Sequence, residues 1–328
     1  MSAIDLAIGI DTLGRYERRP RAVTVGNFDG VHRGHQILLR TLLEHAAEGG
    51  LAPCAVTFFP HPATVVAPDR VPKLLTSIEE RIALLERYGA EDVVPLRFDE
   101  AFASLSAEEF ARRVLADGLC AKYVVIGENF RFGKGQEGDL SVLRRLGDKL
   151  GFDVEGVPLL HWRGFSTSSS EIRKRILAGD VSHAARLLGR PYTMTGAIVS
   201  GRGVGSKQTV PTLNLAAESE LVPESGVYVT RTLDEAAGAV YPSITNVGFR
   251  PTFDDGHSEL TVETFLLGPL VQQPSKIRLQ FLRKLRDEAK FESPEKLREQ
   301  ILRDVARAQT FHRRILKWQP EVCLLSDF

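Results

Sequence analysis

Two histidines lie three positions apart in a glycine-rich segment near the start of the chain. The segment, residues 25–35, reads VGNFDGVHRGH; a β-branched run precedes it and helical apolar spacing follows it. At a helix start, His32 and His35 share one face and can reach one group of phosphates. Glycines let backbone amides approach an anion, and the amides of the first helical turn favour the same anion. We predict that both histidines stabilise charge on a phosphoryl centre and its leaving pyrophosphate; a glycine turn with two exposed histidines is the alternative.

Three more polar segments come where a strand ends or a helix begins. They read TFFPHP at residues 57–62, GENFRFGKG at 127–135 and SSSEIR at 168–173. Each has a structural alternative, since phenylalanines can belong to the core, an asparagine can hold a turn and serines can cap a helix. In a doubly wound sheet, however, ligands bind at the carboxyl ends of strands. Serine hydroxyls, helix-start amides and Arg173 would then suit the phosphates of ATP.

The second half of the chain contains another glycine-rich segment. Residues 196–207 read GAIVSGRGVGSK, and such a segment can wrap the phosphate tail of a nucleotide, although a mobile hairpin is an equal interpretation. Residues 211–214 read PTLN, so Thr212 and Asn214 occupy alternate positions and can face one Mg²⁺–phosphate. Glu263 lies in a strand-like run with few other charges, where it can accept a proton from an attacking alcohol or simply face solvent.

The elements that must position these residues differ between the two halves. Up to about residue 160, strand-like and helix-like segments alternate, which predicts βαβ units and an α/β doubly wound parallel sheet. Ser77 with Glu80, and Ser106 with Glu109, predict capped helix starts. Beyond Gly189, five short β segments predict a small antiparallel barrel or sandwich. These segments are residues 192–199, 226–232, 241–247, 259–267 and 276–285.

A helix and a tail follow the β segments. The helix is predicted to begin at Pro294 and to bury a stripe of Leu297, Ile301 and Val305. The predicted domains are residues 1–189 and residues 190–312, with a tail of unknown role at 313–328.

Composition limits the class of protein. The 328 residues suit two domains, and 42 basic residues cancel 42 acidic ones, which argues against a strong whole-protein field for nucleic acid or an anionic membrane. Three distant cysteines suggest neither a zinc site nor a disulfide framework. No apolar run approaches the ~18 residues of a membrane span, and the N-terminus does not read as a signal peptide. We expect a soluble cytoplasmic protein with small-molecule partners, and the sequence leaves its oligomeric state open.

The first half resembles the adenylyltransferase module of the bacterial bifunctional riboflavin kinase/FAD synthetase family, which carries a HIGH-type nucleotidyltransferase motif. That family has TFxPHP, GxDFRFGxxxxGD and SSTxIR at intervals that match this sequence. The resemblance makes His32, His35 and Arg173 catalytic. It implies ATP-binding roles for Gly26, Phe28, Asp29, Gly30, Gly34, Ser168, Ser169 and Ser170. It implies flavin-binding roles for Phe58, Pro60, His61, Asn129, Phe130, Arg131 and Phe132.

The second half resembles the riboflavin kinase module of the same family, a small β-barrel. The family's PTxN is present at residues 211–214, and the family's catalytic carboxylate matches Glu263. The resemblance implies that Thr212 and Asn214 bind Mg²⁺ and ATP. The other ATP-binding candidates of this half are Gly201, Gly203, Gly205 and Lys207.

The chain departs from the family pattern at a few positions. Asn129 and Ser170 stand where the family has Asp and Thr. Residues 209–210 replace the usual Gly-Phe before PTxN, and Phe265 lies where a histidine is usual after the carboxylate.

The resemblance implies two ATP-dependent steps on one chain. Riboflavin would be phosphorylated to FMN with release of ADP, and FMN would then be adenylylated to FAD with release of pyrophosphate. Two alternatives remain at this point: a flavin-binding or regulatory protein that has lost one activity, and an adenylyltransferase for another phosphorylated cofactor.

Overall fold

The computed structural model describes residues 7–15, 17–162, 165–199, 212–251, 258–270 and 272–318. The chain divides into two compact units, residues 1–171 and residues 172–328. This division precedes the boundary that the sequence predicts after Gly189. The reason is that the helix Val181–Leu188 packs on the second unit, where Ser182 Oγ donates to the carbonyl oxygen of Leu282 at 3.0 Å.

A five-stranded parallel sheet forms the centre of the first unit. Its strands are β1 (Arg21–Val25), β2 (Ala52–Phe59), β3 (Asp92–Arg97), β4 (Ala121–Gly127) and β5 (Asp153–Val157). They are arranged β3-β2-β1-β4-β5, so the carboxyl end of β1 lies between those of β2 and β4. Every residue of β1 is buried, as expected of a strand in a sheet that is covered on both faces. The predicted doubly wound parallel sheet is confirmed.

Helices connect these strands. They are α1 (Arg33–Gly49), α2 (Ala63–Val66), α3 (Ile78–Arg87), α4 (Glu100–Ala103), α5 (Ala107–Phe110), α6 (Leu140–Leu150) and α7 (Ser169–Leu177), with a two-stranded ribbon of β6 (His161–Trp162) and β7 (Phe165–Ser166) before α7. The amide of Glu80 donates to Ser77 Oγ at 3.2 Å, which caps α3. Ser106 and Glu109 form a complete capping box at α5. Both predicted helix starts are therefore confirmed.

A charged cluster holds the amino end of the sheet. Arg21 is 1% exposed, and its Nε donates to Asp92 Oδ2 at 2.7 Å. Arg19 Nη2 lies 3.0 Å from the same oxygen. Burial raises the pKa of Asp92, but the hydrogen bonds from Arg21 and Arg19 outweigh this effect and hold that pKa below its ordinary value.

Six strands of the second unit close into an antiparallel barrel. The elements are α8 (Val181–Leu188), β8 (Tyr192–Val199), β9 (Thr212–Ala217), β10 (Gly226–Asp234), β11 (Ala239–Pro251), β12 (Ser258–Leu266), β13 (Lys276–Arg286) and α9 (Pro294–Trp318). The strand order around the barrel is β10-β11-β12-β9-β8-β13. The predicted barrel is confirmed, and β9 is the strand that the five predicted segments did not include.

The inner face of the barrel carries a row of hydroxyl groups. Thr230 Oγ1 lies 2.8 Å from Thr245 Oγ1, which in turn lies 2.7 Å from Thr264 Oγ1. All three residues are fully buried. Each hydroxyl can donate one bond and accept another, so the row satisfies its own buried polar groups while joining β10, β11 and β12.

Helix α9 covers the outer face of β10 and β11. Its buried face runs through Asp304, Ala308 and His312, whereas Leu297 is 40% exposed. The predicted buried stripe is therefore wrong at Leu297. The buried face includes Asp304 because its carboxylate accepts a 2.9 Å hydrogen bond from Arg286 Nε at the end of β13.

The first prediction concerns the ion cluster of the sheet. Asp92→Asn should lower the stability of the first unit by about 2 kcal/mol at pH 7, because buried Arg21 loses a charge-assisted hydrogen bond. The folded pKa of Asp92 is depressed, so its contribution is present above the unfolded pKa and is lost as pH falls through the folded pKa. Hydrogen exchange of the β1 and β3 amides, measured at pH 7 and again below pH 4, would report both effects.

The matched control is Glu91→Gln. Glu91 lies 3.3 Å from Arg19, but its side chain is 57% exposed, so its loss should cost less than about 0.5 kcal/mol. Equal protection in the two variants would contradict the role given to Asp92.

Candidate active sites

The first candidate site lies at the carboxyl end of β1. His32 caps α1, and its Nδ1 accepts a hydrogen bond from the His35 amide at 3.3 Å. The two imidazole rings stack with centroids 3.6 Å apart and planes within 12° of parallel. The structure therefore brings together the two histidines that the sequence pairs, at the end of a helix whose dipole and first-turn amides favour an anion.

Phe28 and Asp29 have buried side chains, at 0% and 1% exposure. The Asp29 carboxylate accepts hydrogen bonds from the amides of Leu75 and Thr76 at 3.0–3.1 Å, and Arg81 Nη2 lies 3.8 Å from it. These two side chains thus hold the loop in place. Any contact of Phe28 or Asp29 with ATP is left to the backbone.

Two of the predicted phosphate-binding glycines have amides that are engaged within the protein. The Gly26 amide donates to the carbonyl oxygen of Val56 at 3.1 Å, and the Gly30 amide donates to Thr76 Oγ1 at 3.0 Å. The ATP-binding roles of Gly26 and Gly30 stay a prediction, in which other atoms of the loop than these two amides would contact the phosphates. Gly30 supplies the left-handed backbone of the loop, at φ 82°.

The serine segment reaches the same loop. Ser169 Oγ donates to the carbonyl oxygen of Asp29 at 2.9 Å, and Ser168 Oγ accepts from the Glu171 amide at 3.3 Å. Ser168 thus acts as a helix cap, the structural alternative considered for it, and Ser170 is exposed. Arg173 follows in the part of α7 that belongs to the second unit.

The segment after β2 adds His61 to the first site. Asn27 Nδ2 lies 3.5 Å from His61 Nε2, and His61 Nδ1 accepts from the Ala63 amide at 3.1 Å. Thr57 Oγ1 donates to the carbonyl oxygen of Asn27 at 3.0 Å, which ties the ends of β1 and β2 together. The sequence prediction missed Asn27, although its place directly after β1 was a usable signal.

Two of the predicted flavin-binding rings lie in the core. Phe58 and Phe132 are each 6% exposed and belong to the same hydrophobic cluster, where Phe132 lies 5.3 Å from Phe110 between ring centroids. Little of either ring is therefore exposed to a ligand, and their flavin-binding roles stay a prediction. Asn129 and Arg131 are exposed beyond β4. Pro60 and Phe130 are partly buried.

The second candidate site lies on the outer face of the barrel. The strand register places Asn214 of β9 opposite Glu263 of β12, and Asn246 of β11 opposite Glu263 on its other side. Thr212 is two residues before Asn214 and shares its face. Leu213 and Thr264 alternate with these residues and are buried, which shows that the Asn214–Glu263–Asn246 row faces outward.

Asn246 is the residue of this row that the sequence prediction did not include among its sites. Directly opposed residues of antiparallel strands have Cβ atoms about 4.5–5.5 Å apart, so amides flank the Glu263 carboxylate on both sides. Only the strand register reveals this, because Asn246 and Glu263 are far apart in sequence. Gly201, Gly203, Gly205 and Lys207 lie outside the described residues.

The side-chain oxygens of Thr212 and Asn214 are of the kind that Mg²⁺ prefers as ligands. Thr212 and Asn214 offer a hydroxyl and an amide oxygen on one face, which suits a Mg²⁺ ion that is bound mainly through substrate phosphates. Among the described residues there is no group of three or more His, Cys, Asp or Glu side chains that could hold a metal ion by itself.

Comparisons with known proteins identify the two modules. A family model for FAD synthetase matches residues 15–171, and one for riboflavin kinase matches residues 188–312. A bifunctional riboflavin kinase/FMN adenylyltransferase from Pseudomonas fluorescens is 36% identical over 308 residues, which cover 93% of this chain and 97% of that protein. The chain belongs to the bifunctional riboflavin kinase/FMN adenylyltransferase family. The family and the enzyme class predicted from the sequence are confirmed.

A second relative carries the same name, and one solved structure with a different description shares the fold. The protein of the same name from Escherichia coli strain K12 is 33% identical over 304 residues, covering 92% of this chain and 96% of that one. A crystal structure described as a macrolide-efflux protein from Streptococcus pneumoniae superposes with a TM-score of 0.83 at 28% identity, covering 93% of this chain and 99% of that one. In the described part of the chain, no helix is both long and apolar enough to cross a membrane.

The second prediction tests the close packing of the adenylyltransferase loop. A Cβ atom at Gly34 would lie 3.1 Å from Cε1 of His32 and 3.5 Å from the carbonyl oxygen of Thr167. Gly34→Ala should therefore displace the His32 ring and slow FAD formation from FMN by about tenfold to a hundredfold, while FMN formation from riboflavin is unchanged. Flavin chromatography of the two reactions measures both rates.

Gly9→Ala is the control, because a Cβ atom at Gly9 would meet nothing within 4 Å. This variant should keep both rates. An unimpaired Gly34→Ala enzyme would contradict the requirement for the close contact between Gly34 and His32.

Proposed function

We propose that the barrel phosphorylates riboflavin and that the parallel-sheet unit adenylylates the product. In the first step the ribityl 5′-hydroxyl attacks the γ-phosphorus of ATP, which forms FMN and releases ADP. In the second step the FMN phosphate attacks the α-phosphorus of another ATP, which forms FAD and releases pyrophosphate. The observation that supports the proposal is that each module carries its own cluster of polar side chains: the stacked histidines at β1 and the Asn214–Glu263–Asn246 row on the barrel.

In the kinase step, Glu263 is proposed as the base that accepts the proton of the attacking hydroxyl. The flanking amides of Asn214 and Asn246 can orient its carboxylate. ATP binds as its Mg²⁺ complex, and Thr212 and Asn214 are proposed to hold it. The glycine-rich segment at 201–207 is proposed to cover the phosphate tail.

In the adenylylation step, His32 and His35 are proposed to stabilise the charge that develops on the phosphates of ATP. Serine hydroxyls at 168–170 and Arg173 are proposed to hold the same phosphates. No covalent enzyme nucleophile is needed, because phosphoryl chemistry of this kind rests on positioning and electrostatics.

The flavin of FMN is proposed to lie at the carboxyl ends of β2 and β4. His61 with Pro60 approaches from one strand, and Asn129, Phe130 and Arg131 approach from the other. The buried rings of Phe58 and Phe132 support this surface from the core. We further propose that the enzyme acts in the cytoplasm, where its substrates are small molecules.

The third prediction is that His32→Ala separates the two reactions. FAD formation from FMN should fall by a factor of about 100 to 1,000, as when a donor to a developing charge is removed. FMN formation from riboflavin should persist. Chromatography of flavins after incubation with ATP, Mg²⁺ and either riboflavin or FMN provides both measurements, and an equal loss of the two products would exclude the two-site assignment.

The fourth prediction is the converse result for Glu263→Ala. Riboflavin should remain unphosphorylated, because the attacking hydroxyl has lost its base, whereas FMN supplied directly should still yield FAD. Asn246→Ala should retain the kinase reaction at a reduced kcat, since it removes one of the two amides that flank the carboxylate. A Glu263→Ala enzyme with a normal kinase rate would overturn the assignment of the base.

One incubation distinguishes this proposal from a protein that binds flavin without turnover. Product from neither substrate, together with tight flavin binding under saturating ATP and Mg²⁺, would favour the binding protein. FMN accumulating without FAD would indicate that the half of the chain that carries Asn129 has lost adenylylation.

A further inference from the structure

A basic groove lies between β13 and the C-terminal half of α9. It has a volume of about 470 Å³, which falls in the usual range for small-molecule sites. Its lining consists of Arg283, Lys284, Leu285, Ala306, Arg307, Thr310, Phe311 and Arg314. None of these described residues is acidic, so all the charged side chains of the lining are positive.

Three of the groove's cations have no carboxylate partner among the described residues. Among the residues that the structure describes, no acidic side chain forms an ion pair with Arg283, Arg307 or Arg314. Lys284 is different, because its Nζ lies 2.7 Å from Glu224 and 2.6 Å from Asp287.

The ion pairs along β13 show that, in the described part of the chain, the absence of a partner is confined to one cation of that strand. Four of its five cations have a carboxylate partner, and the exception, Arg283, is one that lines the groove. The paired cations are Lys276, Arg278, Lys284 and Arg286. Of the cations of β13, only Arg283 therefore has no carboxylate partner among the described residues, and it lines the groove.

Unpaired guanidinium groups favour a phosphate ligand. Each presents a planar fork of donors that matches two phosphate oxygens, and a cleft with one sign of charge concentrates counter-ions. Three such groups suit a chain of phosphates better than a single one. Leu285 and Phe311 add an apolar wall, which a planar base can cover.

The groove is distinct from the proposed kinase site. Glu263 is on β12, and two strands, β11 and β10, separate β12 from β13 around the barrel. The groove also lacks the carboxylate and amide groups of the Asn214–Glu263–Asn246 row. It can therefore bind an anion but has no group to act as a base.

We propose that this groove is a separate binding site for a nucleotide that carries two or three phosphates in a chain. Arg283, Arg307 and Arg314 bind the phosphates, and the apolar wall receives the base. ATP, ADP and FAD share this chemistry.

Equilibrium dialysis with a non-hydrolysable ATP analogue tests the proposal. The double variant Arg307→Gln/Arg314→Gln should bind one molecule fewer per chain than the unaltered protein at concentrations that fill the site. The affinity of that site should fall at least tenfold for each guanidinium removed. Both enzymatic activities should be unchanged, since the altered residues lie outside the proposed catalytic sites.

Arg303→Gln is the matched control. It removes one charge from the same helix, but Arg303 already donates to Gln300 Oε1 at 2.9–3.1 Å and does not line the groove. The control should bind as many analogue molecules as the unaltered protein. Because the readout is the difference between variants, it does not depend on how many nucleotides the two catalytic sites bind.

Competition experiments identify which part of the nucleotide the groove recognises. Inorganic tripolyphosphate should displace the analogue from the groove, whereas AMP should compete at least tenfold more weakly; ADP and FAD as competitors distinguish the possible sources. Equal binding by the double variant and the control would overturn the proposal. Displacement by a single-stranded RNA oligonucleotide but not by tripolyphosphate would also overturn it.

Discussion

The hydrogen-bonded, buried carboxylate of Asp29 is the interaction on which the candidate site at the end of β1 depends. A charge that is 1% exposed is tolerable only when it is paired and hydrogen-bonded, and Asp29 has amide donors from Leu75 and Thr76, with Arg81 nearby. These contacts fix the loop from which α1 begins. The stacked rings of His32 and His35 follow directly after that loop, so their direction is set by a residue that does not need to touch the substrate with its side chain.

In the barrel the corresponding constraint is strand register. A slip of one residue in β12 would turn Glu263 inward and Thr264 outward, which would bury a carboxylate and expose the hydroxyl row. The bonds from Thr230 through Thr245 to Thr264, at 2.7–2.8 Å, oppose such a slip. The buried hydroxyl row therefore also keeps Asn214 and Asn246 on either side of the Glu263 carboxylate.

The sequence predicted those features that depend on neighbours along the chain. The capped starts at Ser77 and Ser106, the buried parallel strands and the pairing of two histidines across one helical turn are all local patterns. It did not predict which groups would be engaged by distant parts of the chain. The amide of Gly30 and the ring of Phe132 are committed to Thr76 and Phe110, residues that are distant in sequence, and Asn246 meets Glu263 only through the fold of the barrel.

This difference between local patterns and contacts across the fold explains why the reaction was easier to predict than the residues that position its functional groups. Phosphoryl transfer needs donors and a carboxylate at fixed places, and these residue types are recognisable in a short motif. The residues that hold the motif in position, such as Thr76 and Arg81, belong to no recognisable motif. They matter because they are buried against Asp29. A substitution at these supporting positions would thus alter the geometry of the reaction while leaving every residue of the recognisable motif intact.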